Sequence, residues 1–174
     1  MRARVAGFTL IEMVFAMVIT GVLAAAAAPA AINAFKEYES ARAERETLDK
    51  LRYALERMAR EIRETKYVSG TGYSINMSST APAFTKNGPT YGTTDPTVTI
   101  SQSGSLVQMA YSSSTLATAP TLTDQLNSLS FAYYTSAGVS TASASDVKYV
   151  EIDLSLANGT RIYAERTRVG LRNQ

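Results

Sequence analysis

The chain of 174 residues contains no cysteine and no histidine. It therefore cannot form a disulfide, a thiolate nucleophile or a histidine-based triad, and it lacks the usual ligands of a zinc site. We expect no catalytic residues, no metal and no cofactor, because no spacing of Tyr, Ser or Asp defines an active site. The length suits one domain with a proper core plus an anchor.

Charge is nearly absent from Phe8 to Phe35, where Glu12 is the one charged side chain. As a helix this run would extend about 40 Å, which exceeds the roughly 30 Å hydrocarbon core of a bilayer. Arg2 and Arg4 precede the run, and the charged residues just after it, Lys36, Glu37 and Glu39, carry no net positive charge. The positive-inside bias therefore places the amino terminus in the cytoplasm and the rest of the chain outside it.

The residues around Glu12 carry a specific motif. Residues 7–12 read GFTLIE, after a short basic leader and before an unbroken apolar run. This pattern closely resembles the type III signal of type IV pilins and pseudopilins. The resemblance implies cleavage between Gly7 and Phe8 by a prepilin peptidase at the cytoplasmic face, followed by methylation of the new amino terminus on Phe8. Cleavage would also remove two arginines and leave fifteen basic against fifteen acidic residues.

Two other interpretations of the apolar run are a plain transmembrane anchor and a secretory signal peptide cut near Ala24 to Ala28. Glu12 argues against both, because a carboxylate in the membrane costs about 2.5 to 3.5 kcal/mol and usually has a specific partner. The resemblance implies that this partner is the Phe8 amine of an adjacent subunit. A glutamate close enough to the headgroups to stay hydrated is the simpler alternative.

Gly21 and Pro29 match positions where members of this family carry a helix-weakening glycine and proline. Proline removes a backbone donor and clashes with the preceding turn, so we predict a break or kink of the helix between these two residues. Glycine and proline are also common in membrane helices without any special purpose.

The charged segment that follows predicts a continuation of the helix to about Lys66. One face is apolar, formed by Leu48, Leu51, Leu55, Met58 and Ile62. The other face places opposite charges four residues apart, which predicts four ion pairs: Arg42 with Glu46, Glu46 with Lys50, Arg52 with Glu56, and Arg57 with Glu61. Such a face is typically solvated, and a docking surface for neighbouring subunits is the alternative. Residues 55–63 also resemble a minor-subunit group comprising J-type pseudopilins of type II secretion, W-type minor pilins and a subunit of the mannose-sensitive haemagglutinin pilus.

The distal half is rich in Ser and Thr from Ser69 to Ser145, which indicates exposed loops between short strands. Thr97–Ser101 and Leu106–Tyr111 predict a hairpin, and Leu129–Tyr134 a further strand. The clearest strand alternates apolar and polar residues from 150 to 156. It is followed by the turn Asn158-Gly159 and a returning strand with a bulge between Ala164 and Val169.

Four arginines gather near the carboxyl terminus, at positions 161, 166, 168 and 172. Acidic residues lie close by and no aromatic platform interleaves them, so the pattern argues against a nucleic-acid partner.

These observations predict an α+β fold, in which a long N-terminal helix packs on a C-terminal antiparallel sheet. We expect a cleaved leader (1–7), a transmembrane and assembly helix (8–35), its amphipathic continuation (36–67) and a Ser/Thr-rich head (68–174). The predicted function is a structural subunit of a type IV pilus or secretion pseudopilus, without enzymatic activity. Its expected partners are the prepilin peptidase and methyltransferase, other subunits, the inner-membrane assembly platform and the lipid bilayer. A membrane-anchored or pilus-displayed adhesive module is the alternative.

Overall fold

The computed structural model describes residues 7–86, 95–112 and 119–172. Within these ranges one helix, α1 (Leu10–Arg63), is followed by ten strands. The strands are β1 (Tyr67–Val68), β2 (Gly72–Tyr73), β3 (Ile75–Asn76), β4 (Ala83–Thr85), β5 (Thr97–Ser103), β6 (Leu106–Tyr111), β7 (Thr121–Thr123), β8 (Leu126–Tyr134), β9 (Tyr149–Asn158) and β10 (Arg161–Gly170).

The helix ends at Arg63, three residues before the predicted limit of Lys66. The Thr65 hydroxyl donates a hydrogen bond to the Ile62 carbonyl at 2.6 Å, which satisfies one of the free carbonyls of the last turn. The Lys66 N–H then donates to the Thr85 carbonyl at 2.7 Å. The chain therefore leaves the helix directly into contact with a strand.

The strands form three antiparallel sheets among the described residues: a two-stranded β1-β2 pair, a five-stranded sheet in the order β3-β4-β5-β6-β7, and a three-stranded sheet in the order β10-β9-β8. The predicted hairpin of β5 and β6 is confirmed, with Ser103 paired to Leu106 across the Gly104-Ser105 turn. β8 contains the predicted strand Leu129–Tyr134 and begins three residues earlier.

The predicted C-terminal hairpin is also present, but its turn is displaced by one residue. Asn158 is the last paired residue of β9 and faces Arg161, so the two connecting residues are Gly159 and Thr160. Gly159 has a φ of 60°, and no residue other than glycine has positive φ in the described chain. A positive φ at the first connecting residue alone is the pattern of a type II′ turn. The Asn158 side chain is instead used for a hydrogen bond to Thr47 at 3.1 Å.

The predicted bulge in β10 is wrong, because β10 pairs with β9 in unbroken register from Arg161 to Gly170. The apolar residues of β10 occupy different faces at its two ends for another reason. Ile162 and Ala164 lie on the outer face, where Ile162 is 61% exposed, whereas Val169 lies on the inner face and is buried. The register irregularities among the described strands lie instead in the β6-β7 and β8-β9 pairs.

The core joins the second half of α1 to the sheets and confirms the α+β class. The helix contributes the apolar face predicted from its spacing, with Leu51, Leu55, Met58 and Ile62 buried and Leu48 half-buried. The inner faces of the sheets contribute most of the other buried apolar residues, which include Phe84, Val98, Ile100, Val107, Met109, Phe131, Val150, Ile152, Leu154 and Leu156.

The chain divides into two compact units, Met1–Ala43 and Glu44–Gln174. We call them the N-terminal unit and the head. The described part of the N-terminal unit is helical from Leu10 onward, and the head contains the rest of α1 and every described strand.

Candidate assembly segment

The start of α1 is built around Thr9 and Glu12. The Thr9 N–H and hydroxyl both donate to Glu12 Oε2, at 2.9 and 3.0 Å, and the Glu12 N–H donates to Thr9 Oγ1 at 3.3 Å. This is a reciprocal capping box, in which Thr9 is the N-cap and Glu12 occupies the third helical position. It explains why the helix begins at Leu10 rather than at Phe8.

The sequence contains this signal, since a threonine followed three residues later by glutamate ahead of an apolar run is typical of a capping box. The family resemblance points only to an assembly role for Glu12 and leaves the capping role unnoticed. The other oxygen of Glu12, Oε1, accepts no hydrogen bond from the residues that the structure describes. One carboxylate can therefore cap its own helix and still offer an oxygen to another group.

The apolar side chains of the N-terminal unit are not covered by the unit itself. Phe8 is 89% exposed, Leu10 83% and Phe35 71%. Within the described residues, α1 is the one helix long and apolar enough to cross a membrane. An exposed apolar surface of this extent requires lipid or other protein to cover it.

Gly21 and Pro29 lie inside this helix, and no break separates them. The helix is continuous from Leu10 to Arg63, with Pro29 within it. A single proline removes one backbone hydrogen bond, and α1 retains the bonds on either side. Gly21 has open space beside it, because no atom outside its own stretch of helix backbone lies within 4 Å of the point where a Cβ would stand. The isolated chain thus lacks the break expected here, and opening of this stretch within a filament stays a prediction.

A buried charge cluster fixes α1 on the five-stranded sheet. The Glu61 side chain, 4% exposed, accepts a hydrogen bond from Lys86 Nζ at 2.8 Å and one from the Tyr111 hydroxyl at 2.9 Å. Arg57 lies 3.1 Å from the same carboxylate and donates to the Tyr111 hydroxyl. Burial lowers the pKa of Lys86, but its bonds to Glu61 and Glu64 outweigh burial and raise the pKa overall. Burial, followed by the bond to Glu61, raises the pKa of Tyr111.

Two of the four predicted helical ion pairs form. Glu46 pairs with Lys50 at 3.3 Å, and Arg57 pairs with Glu61. The predicted pairs Arg42–Glu46 and Arg52–Glu56 are absent from the ion pairs of the described chain. Lys50 is also tied to Asp124 of the sheet region at 3.0 Å, which no helical spacing could have indicated.

Two of the four C-terminal arginines are engaged by acidic residues on the outer face of the three-stranded sheet. Arg166 pairs with Asp153 at 2.6 Å, and Arg168 pairs with Glu151 at 2.9 Å. The Arg168 guanidinium also lies over the Tyr134 ring, 4.4 Å from its centroid. These pairs are the neutralised arrangement expected of a solvated strand face.

No group of three or more Asp and Glu residues in the described ranges is arranged to hold a metal ion. The features that stand out are an exposed apolar helix with one carboxylate near its start and a packed head built around the later part of the same helix. This arrangement is consistent with a pilin-like α+β fold. Residues 2–28 match the family of the prokaryotic N-terminal methylation motif.

This match supports the type IV pilin and pseudopilin family for the chain, without resolving a subgroup. The family is structural rather than enzymatic, and the motif fits a membrane-anchored subunit that meets a prepilin peptidase and other subunits. A search of curated proteins found no match.

Proposed function

We propose that the chain is a minor pilin or pseudopilin, cut after Gly7, methylated on Phe8 and assembled into a filament through its N-terminal helix. The observation that carries this proposal is the position of Glu12, the one charged side chain of an exposed apolar run that begins with the methylation motif. The preference for a minor subunit rests on the resemblance of residues 55–63.

Processing at Gly7 has a physical rationale. A glycine leaves the scissile carbonyl approachable, and no described residue other than the chain neighbours lies within 4 Å of where a side chain at Gly7 would begin. The fold itself therefore tolerates a larger residue there. The requirement for glycine comes from the peptidase, so substitution should block cleavage without unfolding the head.

Glu12 supplies the assembly step. Cleavage creates an ammonium on Phe8, and in the low-dielectric interior of a helical bundle an unpaired charge is costly. The free Oε1 of Glu12 can accept a hydrogen bond from the Phe8 ammonium of an adjacent subunit, while Oε2 keeps its bonds from Thr9. A subunit in the wrong register would leave both charges unpaired. Glu12 thus checks the register of assembly.

The location follows from processing and assembly. The precursor spans the inner membrane once, with its N-terminus in the cytoplasm and its head outside, and the assembly platform moves it into a pilus or periplasmic pseudopilus. The exposed residues from Phe8 to Phe35 are first covered by lipid and then by the helices of neighbouring subunits.

Intact-mass measurement of the protein from its native membrane tests the processing step. We expect loss of residues 1–7 and the addition of one methyl group. Gly7→Leu should retain the leader. A wild-type chain that still begins at Met1 in the membrane would contradict the proposal.

Two substitutions at Glu12 test the assembly step separately from capping. Glu12→Ala removes the charge and the two bonds that the Glu12 side chain accepts from Thr9, whereas Glu12→Gln keeps a side chain that can still accept these bonds but carries no charge. We expect both variants to be processed and to be missing from sheared filaments, while Glu39→Gln assembles normally. Normal incorporation of Glu12→Gln would rule out charge pairing. Ligand binding that persists in both variants would instead favour the adhesive module.

A further inference from the structure

One exposed face of α1 in the head carries five charged residues of alternating sign. They are Arg45, Asp49, Arg52, Glu56 and Arg60, and every one of them is exposed. Successive members are three or four residues apart, so helical periodicity places them in a single row. The row lies on the exposed side of the helix, and Arg52, Glu56 and Arg60 border a groove that Glu165 and Thr167 of β10 also line.

The head does not use this row for its own stability. None of the five side chains has an ion pair or a hydrogen bond within residues 7–86, 95–112 and 119–172. Charges beside the row are engaged instead, as in the Glu46–Lys50 and Arg57–Glu61 pairs. Five neighbouring charges without partners therefore remain available to another molecule.

The alternation makes the row complementary to itself. If a second copy lies alongside in the same direction, displaced by one step of about 4.5 to 6 Å, each positive residue becomes level with a negative one. Arg45 of one copy then meets Asp49 of the other, Arg52 meets Glu56, and Glu56 meets Arg60. Phe8 and Glu12 are separated by the same four-residue step in the sequence.

We propose that this row is a contact between neighbouring copies of the chain, held by Arg45–Asp49 and Arg52–Glu56 pairs between subunits. The inference rests on the proposed filament function and names the partner that the exposed face of the helix meets there. Glu12 sets the register between subunits in the apolar segment. The row favours the same displacement between subunits in the charged segment.

A second copy fits this face better than an anionic surface does. Lipid headgroups or a nucleic acid would meet Asp49 and Glu56 between the arginines and be repelled by them. A helix with the same alternating charges meets no like charge when displaced by one step. Exposed pairs are individually weak, so several acting together are needed, and the contact should weaken as salt increases.

The proposal requires that at least two copies lie side by side in the filament. A subunit present once in each filament would have no such neighbour. Measuring this contact therefore also bears on whether the chain is a minor component.

The test uses two single variants of the full chain, Arg52→Glu and Glu56→Arg, carried by copies with different head tags. Either variant alone places like charges opposite each other, so association between tagged copies in sheared filaments should fall about fivefold or more. When the two variants are expressed together, the acidic side chain at position 52 of one copy would meet the basic side chain at position 56 of the other. Association should then rise again towards the wild-type level. Rescue among copies of a single variant is impossible, because positions 52 and 56 then have the same sign.

Asp146→Arg is the matched control, since it makes the same charge change as Glu56→Arg on an exposed residue away from the helix. It should associate as the wild type does. Tyrosine near-UV circular dichroism of each variant should match the wild type, which separates a lost contact from an unfolded head. Single variants that associate normally, or a mixture that fails to restore association between folded subunits, overturn the proposal.

The absence of cysteine from the chain provides a second measurement. Copies with Arg45→Cys and copies with Asp49→Cys, expressed together and oxidised, should form a disulfide-linked pair of unequal tags. Copies with Val139→Cys, expressed together with copies carrying Asp49→Cys, should not form such a pair, because Val139 lies in a loop of the head and not on the helix. If wild-type chains enter filaments, Glu12→Ala chains do not, and the first cross-link is still absent, this contact is overturned. The proposed function then stays intact. Absence of the wild-type chain from filaments would remove the proposed function itself.

Discussion

The two units of this chain treat their apolar side chains in opposite ways. In the N-terminal unit Ile19 is 57% exposed and Leu23 64% exposed, whereas in the head Ile62 and Ile152 are fully buried. The helix α1 supplies the exposed Ile19 and Leu23 and also the buried Ile62, so the difference does not come from secondary structure. Apolar residues in the head stabilise the fold, whereas those in the N-terminal unit must be covered by lipid or by another protein.

The largest expected effect comes from truncating a matched pair of isoleucines, one in each unit. Ile62→Ala should lower the free energy of unfolding of the head by about 2 to 5 kcal/mol, because it leaves a cavity under α1. Ile19→Ala removes the same atoms from an exposed position and should leave that free energy unchanged. Denaturant unfolding of the detergent-solubilised protein, followed by tyrosine near-UV circular dichroism, measures both.

A destabilised head in Ile19→Ala would show that the two units are coupled more strongly than their separate packing indicates. A filament assay completes the comparison. Ile19→Ala should reduce incorporation even though its head is as stable as the wild type, because the lost contact belongs to the assembled state.

Charged residues show the same contrast within the head itself. Glu61→Ala should destabilise the head by about 2 kcal/mol, because Arg57 and Lys86 lose a buried partner; their own partial exposure keeps the cost below that of a fully buried pair. Glu56→Ala, five residues earlier on the exposed face, should change stability by less than about 0.5 kcal/mol. Equal effects of the two substitutions in the unfolding experiment would contradict the role assigned to burial.

How much of the head can be predicted depends on how local its determinants are. The apolar stripe of α1 and the β5-β6 hairpin follow from periodicity and turn residues, and both are predictable. The partners outside the helix, Asp124 for Lys50 and Lys86 for Glu61, are not, because they lie 74 and 25 residues away along the chain. The bulge expected in β10 is wrong because Ile162 has the hydrophobicity of a core residue and yet lies on the exposed face.

The assembly segment carries the most specific motif of the sequence, and that motif is short and local. Even there the motif misses one role. It assigns Glu12 wholly to a neighbouring subunit, although Thr9 three residues before it already indicates a capping box. The choice between competing partners for one side chain depends on which of its oxygen atoms are occupied, and spacing alone cannot show that.

The smallest expected effect concerns the exposed Lys50–Asp124 pair, which joins the first part of the head's helix to the end of β7. The hydrogen bond from Lys50 lowers the pKa of Asp124, and the bond to Asp124 raises the pKa of Lys50. The contribution of Asp124 is therefore present above its unfolded pKa of about 4 and is lost as pH falls through its folded pKa. The contribution of Lys50 is present below about pH 10.5 and is lost as pH rises beyond it.

Between these limits the pair should contribute a constant amount, below about 0.5 kcal/mol because both side chains are partly solvated. Asp124→Asn should therefore flatten the acid side of the stability profile slightly. Asp49→Asn removes a carboxylate that has no ion pair within the described residues from the helix that carries Lys50, and it should leave the profile unchanged. Thermal unfolding of the head from pH 3 to pH 7 measures the difference. If both variants follow the wild-type profile, the pair adds nothing to the head, and burial rather than ion pairing accounts for the stability that distinguishes it from the N-terminal unit.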